Sequence, residues 1–383
     1  MPPVPAELAD IAPYDDGCFR EKLEKLVGEE GFEHAIRFVM PDVDYPQFVQ
    51  HLLAVRNQQD FQSRIVGGFL EDLARKTSDG ISMSGVENIV EGQSYTFISN
   101  HRDIVLDSAL LDKLLIDAGF NTTCEIAIGD NLLKLPWVKD LVRVNKSFIV
   151  ERALSMREML MASKRLSEYM HFVIAEKNDN IWIAQREGRA KDSNDRTQEA
   201  ILKMMVMGGD GSIIDRLKQL HLVPLAISYE YDPCDYLKAA ELQARRDNPS
   251  WQKGPMDDVT SMQTGIMGYK GYIHYQCADC IDSYLDTIPA DTPKTELFRL
   301  IADHIDRQIF AGYRLYPNNY VALDLLHGDS AHADHYTAED KAQFEAYLKG
   351  QLDKIEMEGK DDAYLREQML KMYANPAINQ MGL

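Results

Sequence analysis

Three features that would each point to a class of protein are scarce in this sequence. It has only 5 cysteines among 383 residues, with no disulfide-scaffold spacing, so we expect a reducing compartment. No stretch approaches the roughly 18 consecutive apolar residues that a membrane span needs. Positive charge is also scarce, because 41 basic residues face 61 acidic ones and the net charge is −20. This charge argues against nucleic acid as a partner and against broad adhesion to anionic lipid.

The N-terminus has neither the basic segment nor the apolar segment of a secretory signal, so we expect a cytoplasmic protein. The length suffices for one large domain or two ordinary ones. Apolar residues make up 45% of the chain, which is ordinary for a globular protein.

Short β-branched or aromatic runs alternate with amphipathic runs in the middle of the chain. Strands are predicted at 96–99, 125–128, 148–150, 181–184 and 222–228, and helices at 104–117, 132–141, 154–175 and 197–207. This alternation predicts an α/β fold with a central, mostly parallel sheet flanked by helices. We predict three parts: an N-terminal helical subdomain (1–80), the α/β domain (81–292) and a C-terminal helical extension (293–383).

The junction after the strand at 96–99 concentrates groups that suit acid–base chemistry. His101 lies in this junction, and Asp103 and Asp107 are predicted in the first turns of the following helix, where the helix dipole favours carboxylates. A histidine whose tautomer is set by a carboxylate is the arrangement of a general base. A histidine that only caps backbone groups is the alternative interpretation.

Basic residues are locally enriched despite the acidic total. Between residues 143 and 196 there are 11 basic and 8 acidic side chains, a local charge of +3. Most of them are interpreted as solvated helix faces. Arg152, Arg189 and Lys191 differ because they follow predicted strands, and ligands of parallel sheets bind beyond the carboxyl ends of strands.

Residues 101–103 read His-Arg-Asp, a motif of the catalytic loop of protein kinases. That loop needs an asparagine five positions after its aspartate, where this chain has Ser108. A Gly-rich loop and an Asp-Phe-Gly motif are also missing, so we do not interpret the chain as a kinase.

Asn100-His101 followed by Asp107 resembles the first block of the glycerolipid acyltransferase superfamily, in which Asn-His and Asp are separated by four residues. Stretches 147–152, 181–191 and 222–228 resemble the next three blocks, in the family's order. The resemblance covers about residues 85–235. In one departure, five residues separate His101 from Asp107, and Leu106 occupies the family's aspartate position. We favour Asp107 as the partner of His101, with Asp103 as the alternative.

The resemblance implies an acyltransferase that moves a fatty acyl group from acyl-CoA or acyl-carrier protein to a hydroxyl of glycerol 3-phosphate or 1-acylglycerol 3-phosphate. His101 would remove the hydroxyl proton, since base catalysis of this kind is worth ~10²–10⁴-fold. The residues implied in substrate binding are Arg152, Glu187, Gly188, Arg189 and Lys191, in which the cations would bind the acceptor's phosphate.

No cofactor is expected beyond the acyl thioester as co-substrate, and we expect contact with a membrane surface. Two alternatives remain: an acyltransferase for another lysolipid, and a catalytically silent lipid-phosphate binding protein on the same scaffold.

Two further clusters are predicted not to hold a metal. Cys277 and Cys280 form a lone Cys-x-x-Cys with His274 upstream, whereas a structural zinc site needs a second pair of ligands. Three other histidines, His327, His332 and His335, fall among small polar residues, which favours a solvated loop.

Overall fold

The computed structural model describes residues 2–152 and 155–383. A seven-stranded sheet lies at the centre of the protein. Its strands are β1 (Gly80–Ser84), β2 (Thr96–Ser99), β3 (Cys124–Gly129), β4 (Ser147–Val150), β5 (Asn180–Ala184), β6 (Leu222–Tyr229) and β7 (Tyr272–Cys277). Across the sheet the order is β1-β7-β6-β2-β5-β3-β4.

Strands β2 to β6 all run in the same direction, which confirms the predicted mostly parallel sheet. The pair β1 and β7 is parallel internally but meets β6 antiparallel. The carboxyl ends of β2 to β6 therefore lie at one edge of the sheet, which we call the carboxyl edge. Ligand sites of parallel sheets form at such edges.

Seventeen α-helical segments surround the sheet in the described part of the chain. They are α1 (Asp16–Val27), α2 (Glu30–Val39), α3 (Tyr45–Leu52), α4 (Gln58–Asp60), α5 (Gly67–Thr77), α6 (Leu106–Asp117), α7 (Pro136–Val144), α8 (Met156–Phe172), α9 (Glu199–Met205), α10 (Ile213–Lys218), α11 (Asp235–Asp247), α12 (Asp257–Met267), α13 (Asp282–Leu285), α14 (Lys294–Ala311), α15 (Pro317–His327), α16 (Ala338–Leu352) and α17 (Asp362–Met381). Among these helices none combines the length and the apolar character that crossing a bilayer requires.

The two faces of the sheet have separate apolar cores, because successive strand residues point to opposite faces. Phe97 and Trp182 face a core shared with α5 and α6. Ile98 and Ile183 face the other core, to which α8, α9 and α14 contribute. Both faces of β2 are covered, as its fully buried residues require.

Two smaller cores lie at the ends of the chain. Helices α1 to α3 pack around Phe19 and Leu52, and Trp137 of α7 joins this cluster. Helices α15 to α17 pack with α11 around Phe344 and Tyr373. The terminal helices thus rest on α7 and α11, which are connections of the central sheet.

The structure differs from the sequence prediction at several boundaries. Strand β1 was not predicted; all its residues are half-buried, so it lacks clear alternation. The predicted N-terminal helical subdomain is divided into short helices, because α3 ends at Leu52 and the side chain of Asn57 caps α4. A π-helical stretch then joins α4 to α5. Leu154, the predicted start of a helix, lies outside the described residues.

Candidate active site

The turn after β2 is held to the neighbouring strand by the side chain of Asn100. Its Nδ2 donates to the carbonyl of Ile227 at 2.9 Å, and its Oδ1 accepts from the amide of Ile227 at 2.8 Å. This buried amide thus continues the β2–β6 pairing one residue past the strand. Because both hydrogen bonds are made inside the protein, the next residue, His101, has a well-defined position.

His101 and Asp107 form a direct pair at the carboxyl edge. Nδ1 of His101 lies 2.8 Å from Oδ2 of Asp107, and the two side chains are 14% and 1% exposed. An ionised carboxylate only accepts hydrogen bonds, so Nδ1 carries the proton and Nε2 keeps a lone pair. Among the described residues Nε2 has no hydrogen-bond partner. The ring therefore offers a basic nitrogen beside a buried carboxylate.

The additional residue between His101 and Asp107 is accommodated by the turn. Oδ2 of Asp107 also accepts from the amides of Arg102 at 2.6 Å and Asp103 at 3.1 Å, so the turn wraps around this oxygen. The helix begins only at Leu106, which places Asp107 in its first turn. The carboxylate at this position reaches His101 in spite of the altered spacing.

Asp103 lies before the helix, not in its first turns as predicted. Its Oδ1 accepts from the amides of Val105 and Leu106, each at 2.8 Å, and so caps the start of α6. Burial, followed by the charge of Asp107, raises its pKa. A Cβ added at Gly265 of α12 would lie 1.8 Å from Oδ2 of Asp103, so the two elements are closely packed. The observed contacts of this carboxylate are structural.

Two side chains that the sequence interpretation did not single out complete the surroundings of His101. The ring of Trp182 meets the imidazole edge-on at 5.6 Å, and its Nε1 donates to Oγ of Ser99 at 3.1 Å. The guanidinium of Arg102 is buried, lies 3.6 Å from Asp195 and contacts the ring of Tyr313. Trp182 was interpreted only as an apolar strand residue, because its partner is 83 positions away in the sequence.

Arg152 and Glu187 come together at the carboxyl edge, after β4 and β5. Nη1 of Arg152 lies 3.1 Å from Oε1 of Glu187, and both side chains are accessible. Gly188 adopts φ of +67°, and a Cβ built there would meet nothing within 4 Å. The backbone at Gly188 is thus open to a ligand, and Arg152 offers further guanidinium donors.

Arg189 and Lys191 lie deeper. The Nη1 of Arg189 is buried with no hydrogen-bond partner among the described residues, and the positive charge of Arg189 offsets a small part of the rise in the pKa of Asp103. Nζ of Lys191 lies 2.8 Å from Oε2 of Glu241. Burial, with the nearby charge of Arg189, lowers the pKa of Lys191 to about 8. In the described part of the chain Arg189 thus keeps an unused donor, whereas Lys191 is already paired with a carboxylate.

The cysteine and histidine clusters are separate from this site. His274 lies between Ser82 and Ser84 at 2.8 Å from each hydroxyl, and Cys277 is buried in the core. Cys280 instead approaches His221 and Asp282, whose ligand atoms all lie within 4.8 Å of one another. His221 precedes β6, so this group is at the edge opposite His101.

Two of the three histidines that were predicted to lie in a solvated loop contact other side chains of the protein. Nδ1 of His332 pairs with Asp324 at 2.8 Å, and the ring of His335 stacks on Tyr320 at 4.1 Å. His327 ends α15.

The segment that contains His101 and Asp107 is also the one that matches a known protein family. Residues 80–228 match the family model described as Acyltransferase. Among solved structures the chain is similar to the 1-acyl-sn-glycerophosphate (LPA) acyltransferase PlsC from Thermotoga maritima, with 12% identity and a TM-score of 0.42 over 77% of this chain and 96% of that one. No curated protein matches the sequence. Residues 80–228, which include His101, Asp107 and the strands from β1 to β5, therefore match an acyltransferase family model.

Proposed function

We propose that the protein transfers a fatty acyl group from an acyl thioester, acyl-CoA or acyl-carrier protein, to a hydroxyl of 1-acylglycerol 3-phosphate or glycerol 3-phosphate, with His101 as general base. The observation that carries this proposal is the 2.8 Å pair of His101 and Asp107, in which Nε2 of the imidazole has no hydrogen-bond partner within residues 2–152 and 155–383.

In this reaction Nε2 of His101 takes the proton of the acceptor's hydroxyl while its oxygen attacks the thioester carbonyl carbon. The carbon–sulfur bond then breaks, and the imidazolium returns the proton to the leaving thiolate. Asp107 holds the imidazole in the required tautomer and stabilises the cation that forms. The acceptor attacks directly, because the sequence has no Gly-x-Ser-x-Gly motif for a serine intermediate.

The acceptor's phosphate is proposed to bind Arg152 and Arg189. Arg152 is accessible at the carboxyl edge, and Arg189 has a buried donor that no described residue accepts from. Guanidinium groups suit phosphate because they donate two parallel hydrogen bonds. Lys191 contributes less in this proposal, since Glu241 already compensates its charge.

A cavity of about 170 Å³ near this edge supports binding of an acyl chain. It lies between β4, α8 and α9. Its apolar lining includes Ile149, Val150, Leu166, Ile201 and Met204, and its polar lining consists of Glu151, Ser163, Glu187 and Gln198. Mostly apolar walls with few polar groups are typical of sites for apolar ligands.

A catalytically silent lipid-phosphate binding protein is the less favoured candidate. It would need neither a paired histidine nor a free imidazole nitrogen, and here Asp107 contacts His101 directly.

Since the product is a lipid, we propose that the protein works in the cytoplasm at the inner face of the membrane.

The test is consumption of thioester by the purified protein, with acyl-CoA or acyl-carrier protein as donor and glycerol 3-phosphate or its 1-acyl form as acceptor. We expect His101→Ala to lose at least ~10²-fold in rate, as for removal of a general base. His34→Ala, an exposed histidine on α2, is the matched control and should keep full activity. Turnover that survives in His101→Ala would refute the mechanism, and no turnover with either acceptor would refute the substrate assignment.

A further inference from the structure

Three side chains with different metal-binding groups meet at the edge of the sheet opposite the carboxyl edge. The imidazole of His221 lies just before β6, the thiol of Cys280 follows β7, and the carboxylate of Asp282 begins α13. Because β6 and β7 are antiparallel, the end of β7 lies beside the start of β6. The possible ligand atoms of the three residues all lie within 4.8 Å of one another. We call this group the His221 cluster.

The backbone that carries the His221 cluster is fixed by hydrogen bonds of the sheet. The amide of Thr96 donates to the carbonyl of His221 at 3.2 Å, and the amide of Ile281 donates to the carbonyl of Leu222 at 3.0 Å. His221 adopts φ of +46°, in the left-handed region that residues other than glycine rarely enter. Backbone of this kind persists where the surroundings hold it, and it is concentrated at functional sites. The three side chains are therefore brought together by the fold itself.

Two polar groups of the cluster would gain a partner from a bound cation. Oδ2 of Asp282 lies 2.7 Å from Nδ1 of His221, but Oδ1 is a buried oxygen to which no described residue donates a hydrogen bond. A buried acceptor without a donor is costly. Burial raises the pKa of Cys280 to about 12, and a metal ion bound to a thiol offsets such a rise by displacing the proton.

The surroundings of the cluster favour positive charge. Residues 277–286 include three aspartates and no basic residue. Asp286 pairs with Lys218 at 2.7 Å, whereas in residues 2–152 and 155–383 no lysine or arginine lies within 4.0 Å of Asp279 or Asp282. The side chains of His221 and Asp282 are 33% and 25% exposed, so an ion can reach them from solvent.

We propose that the His221 cluster binds a zinc ion through a ring nitrogen of His221, Sγ of Cys280 and the carboxylate of Asp282, with water as the fourth ligand. Imidazole, thiolate and carboxylate are the ligand types of zinc, whereas magnesium and calcium take oxygen ligands. At zinc's bond lengths, two ligand atoms of one tetrahedral ion lie about 3.4–3.6 Å apart. The cluster reaches this spacing through side-chain shifts of roughly 1 Å.

The ion would have a structural role and would take no part in acyl transfer, since it lies at the edge opposite His101. It would join the start of β6 to the turn after β7. His221 and Asp282 are 61 positions apart in the sequence, so only the folded chain brings the ligands together, and zinc should stabilise the folded state. The Cys-x-x-Cys pattern predicted no zinc because it offers only Cys277 as a partner for Cys280. The inference does not depend on the proposed function.

The experiment is isothermal titration calorimetry of the full chain with zinc chloride, after a chelator has removed bound metal. We expect the wild-type protein to bind one equivalent and Cys280→Ser to weaken this binding at least ~10-fold, since even the loss of an outer-shell partner of a metal costs about 10–100-fold. His221→Asn should weaken it similarly, because asparagine tolerates the positive φ but lacks the imidazole. Cys18→Ser is the matched control; Cys18 is also half-buried but lies on α1, so the affinity should stay within twofold.

Two further measurements identify the ligands and the role of the ion. Cobalt(II) in place of zinc should give the near-ultraviolet absorption of a cobalt–thiolate bond in the wild-type and Cys18→Ser proteins, and this absorption should be missing in Cys280→Ser. Zinc should raise the melting temperature of the wild-type protein and leave that of Cys280→Ser nearly unchanged. Magnesium chloride at the same concentration should shift neither.

The contrary outcomes are distinct. A wild-type protein that binds no zinc, or a Cys280→Ser protein with unchanged affinity and an unchanged cobalt spectrum, would overturn the proposal. Half an equivalent of zinc per chain would also overturn it, because the ion would then join two copies. His101→Ala should bind zinc like the wild-type protein. A protein that binds zinc at this cluster but transfers no acyl group would refute only the proposed function.

Discussion

Replacing Asp107 by asparagine tests the central pair most directly, because the exchange removes charge and preserves shape. The amide oxygen of asparagine can still accept from the amides of Arg102 and Asp103 and from Nδ1 of His101, as Oδ2 does now. The new amide nitrogen takes the position of Oδ1, a buried atom to which no described residue donates a hydrogen bond. The variant should therefore fold, and its imidazole should keep the same tautomer.

The size of the effect follows from the charge that is lost. Two unit charges about 4 Å apart interact by ~4 kcal/mol at the effective dielectric constant of ~20 that suits such sites. The imidazolium formed in the transition state would lose most of this stabilisation, although the dipole of the amide returns part of it. A loss of about 3–4 kcal/mol corresponds to a fall in kcat/KM of roughly 10²–10³-fold.

The assay is release of free thiol from the acyl donor, measured as kcat and KM for the acceptor. Asp117→Asn is the matched control, because Asp117 lies on the same helix but is exposed and pairs with Lys113 at 2.7 Å. We expect the loss to fall on kcat, with little change in KM. A folded Asp107→Asn protein whose kcat/KM falls less than tenfold would refute the assigned role of this carboxylate.

Three further predictions concern binding, pH and packing. Arg152→Gln should raise KM for the phosphorylated acceptor ~10-fold or more, since a charge-assisted hydrogen bond contributes about 1.5–3 kcal/mol, with kcat nearly unchanged; an unchanged KM would contradict its role. Burial raises the pKa of Asp112 from 3.8 to about 7. Between pH 3.8 and about pH 7, Asp112 therefore holds a proton in the folded state that it releases in the unfolded state. Stability should therefore fall as pH rises through this range, by up to ~1.4 kcal/mol per pH unit, and Asp112→Asn should flatten the fall in denaturant titrations. Gly265→Ala should lower the free energy of unfolding by about 1–3 kcal/mol, because its Cβ would meet Oδ2 of Asp103; equal melting temperatures would contradict this close packing.

The strands of the parallel region could be predicted from the sequence because they are short, apolar and buried. Thr96–Ser99 was predicted with its observed bounds, and the other predicted strands differ only at their ends. Strand β1 was not predicted, because its residues are all half-buried and do not alternate between a buried and an exposed face. Its place at the edge of the sheet depends on pairing with β7, which lies about 190 residues later. Local pattern cannot report a partner so distant in the chain.

Local sequence also brought His101 and the carboxylates to one turn, but it left the partner of His101 open. The choice depends on where α6 begins, since that position directs Asp107 toward the imidazole and leaves Asp103 as a cap. Which carboxylate contacts His101 depends on the direction of each side chain, and the number of residues between them in the sequence does not determine that direction.

By itself, the sequence determined the mostly parallel α/β architecture and the junction that presents His101, because both follow from burial patterns within short stretches. Only the tertiary structure decided which of the predicted phosphate-binding cations remain free to bind a ligand. Lys191 is compensated by Glu241 on α11, while Arg152 remains accessible at the carboxyl edge. It also brought Cys280 to His221 rather than to His274. Such pairings join residues far apart in the chain, and their energies depend on distance and burial, which exist only once the chain has folded.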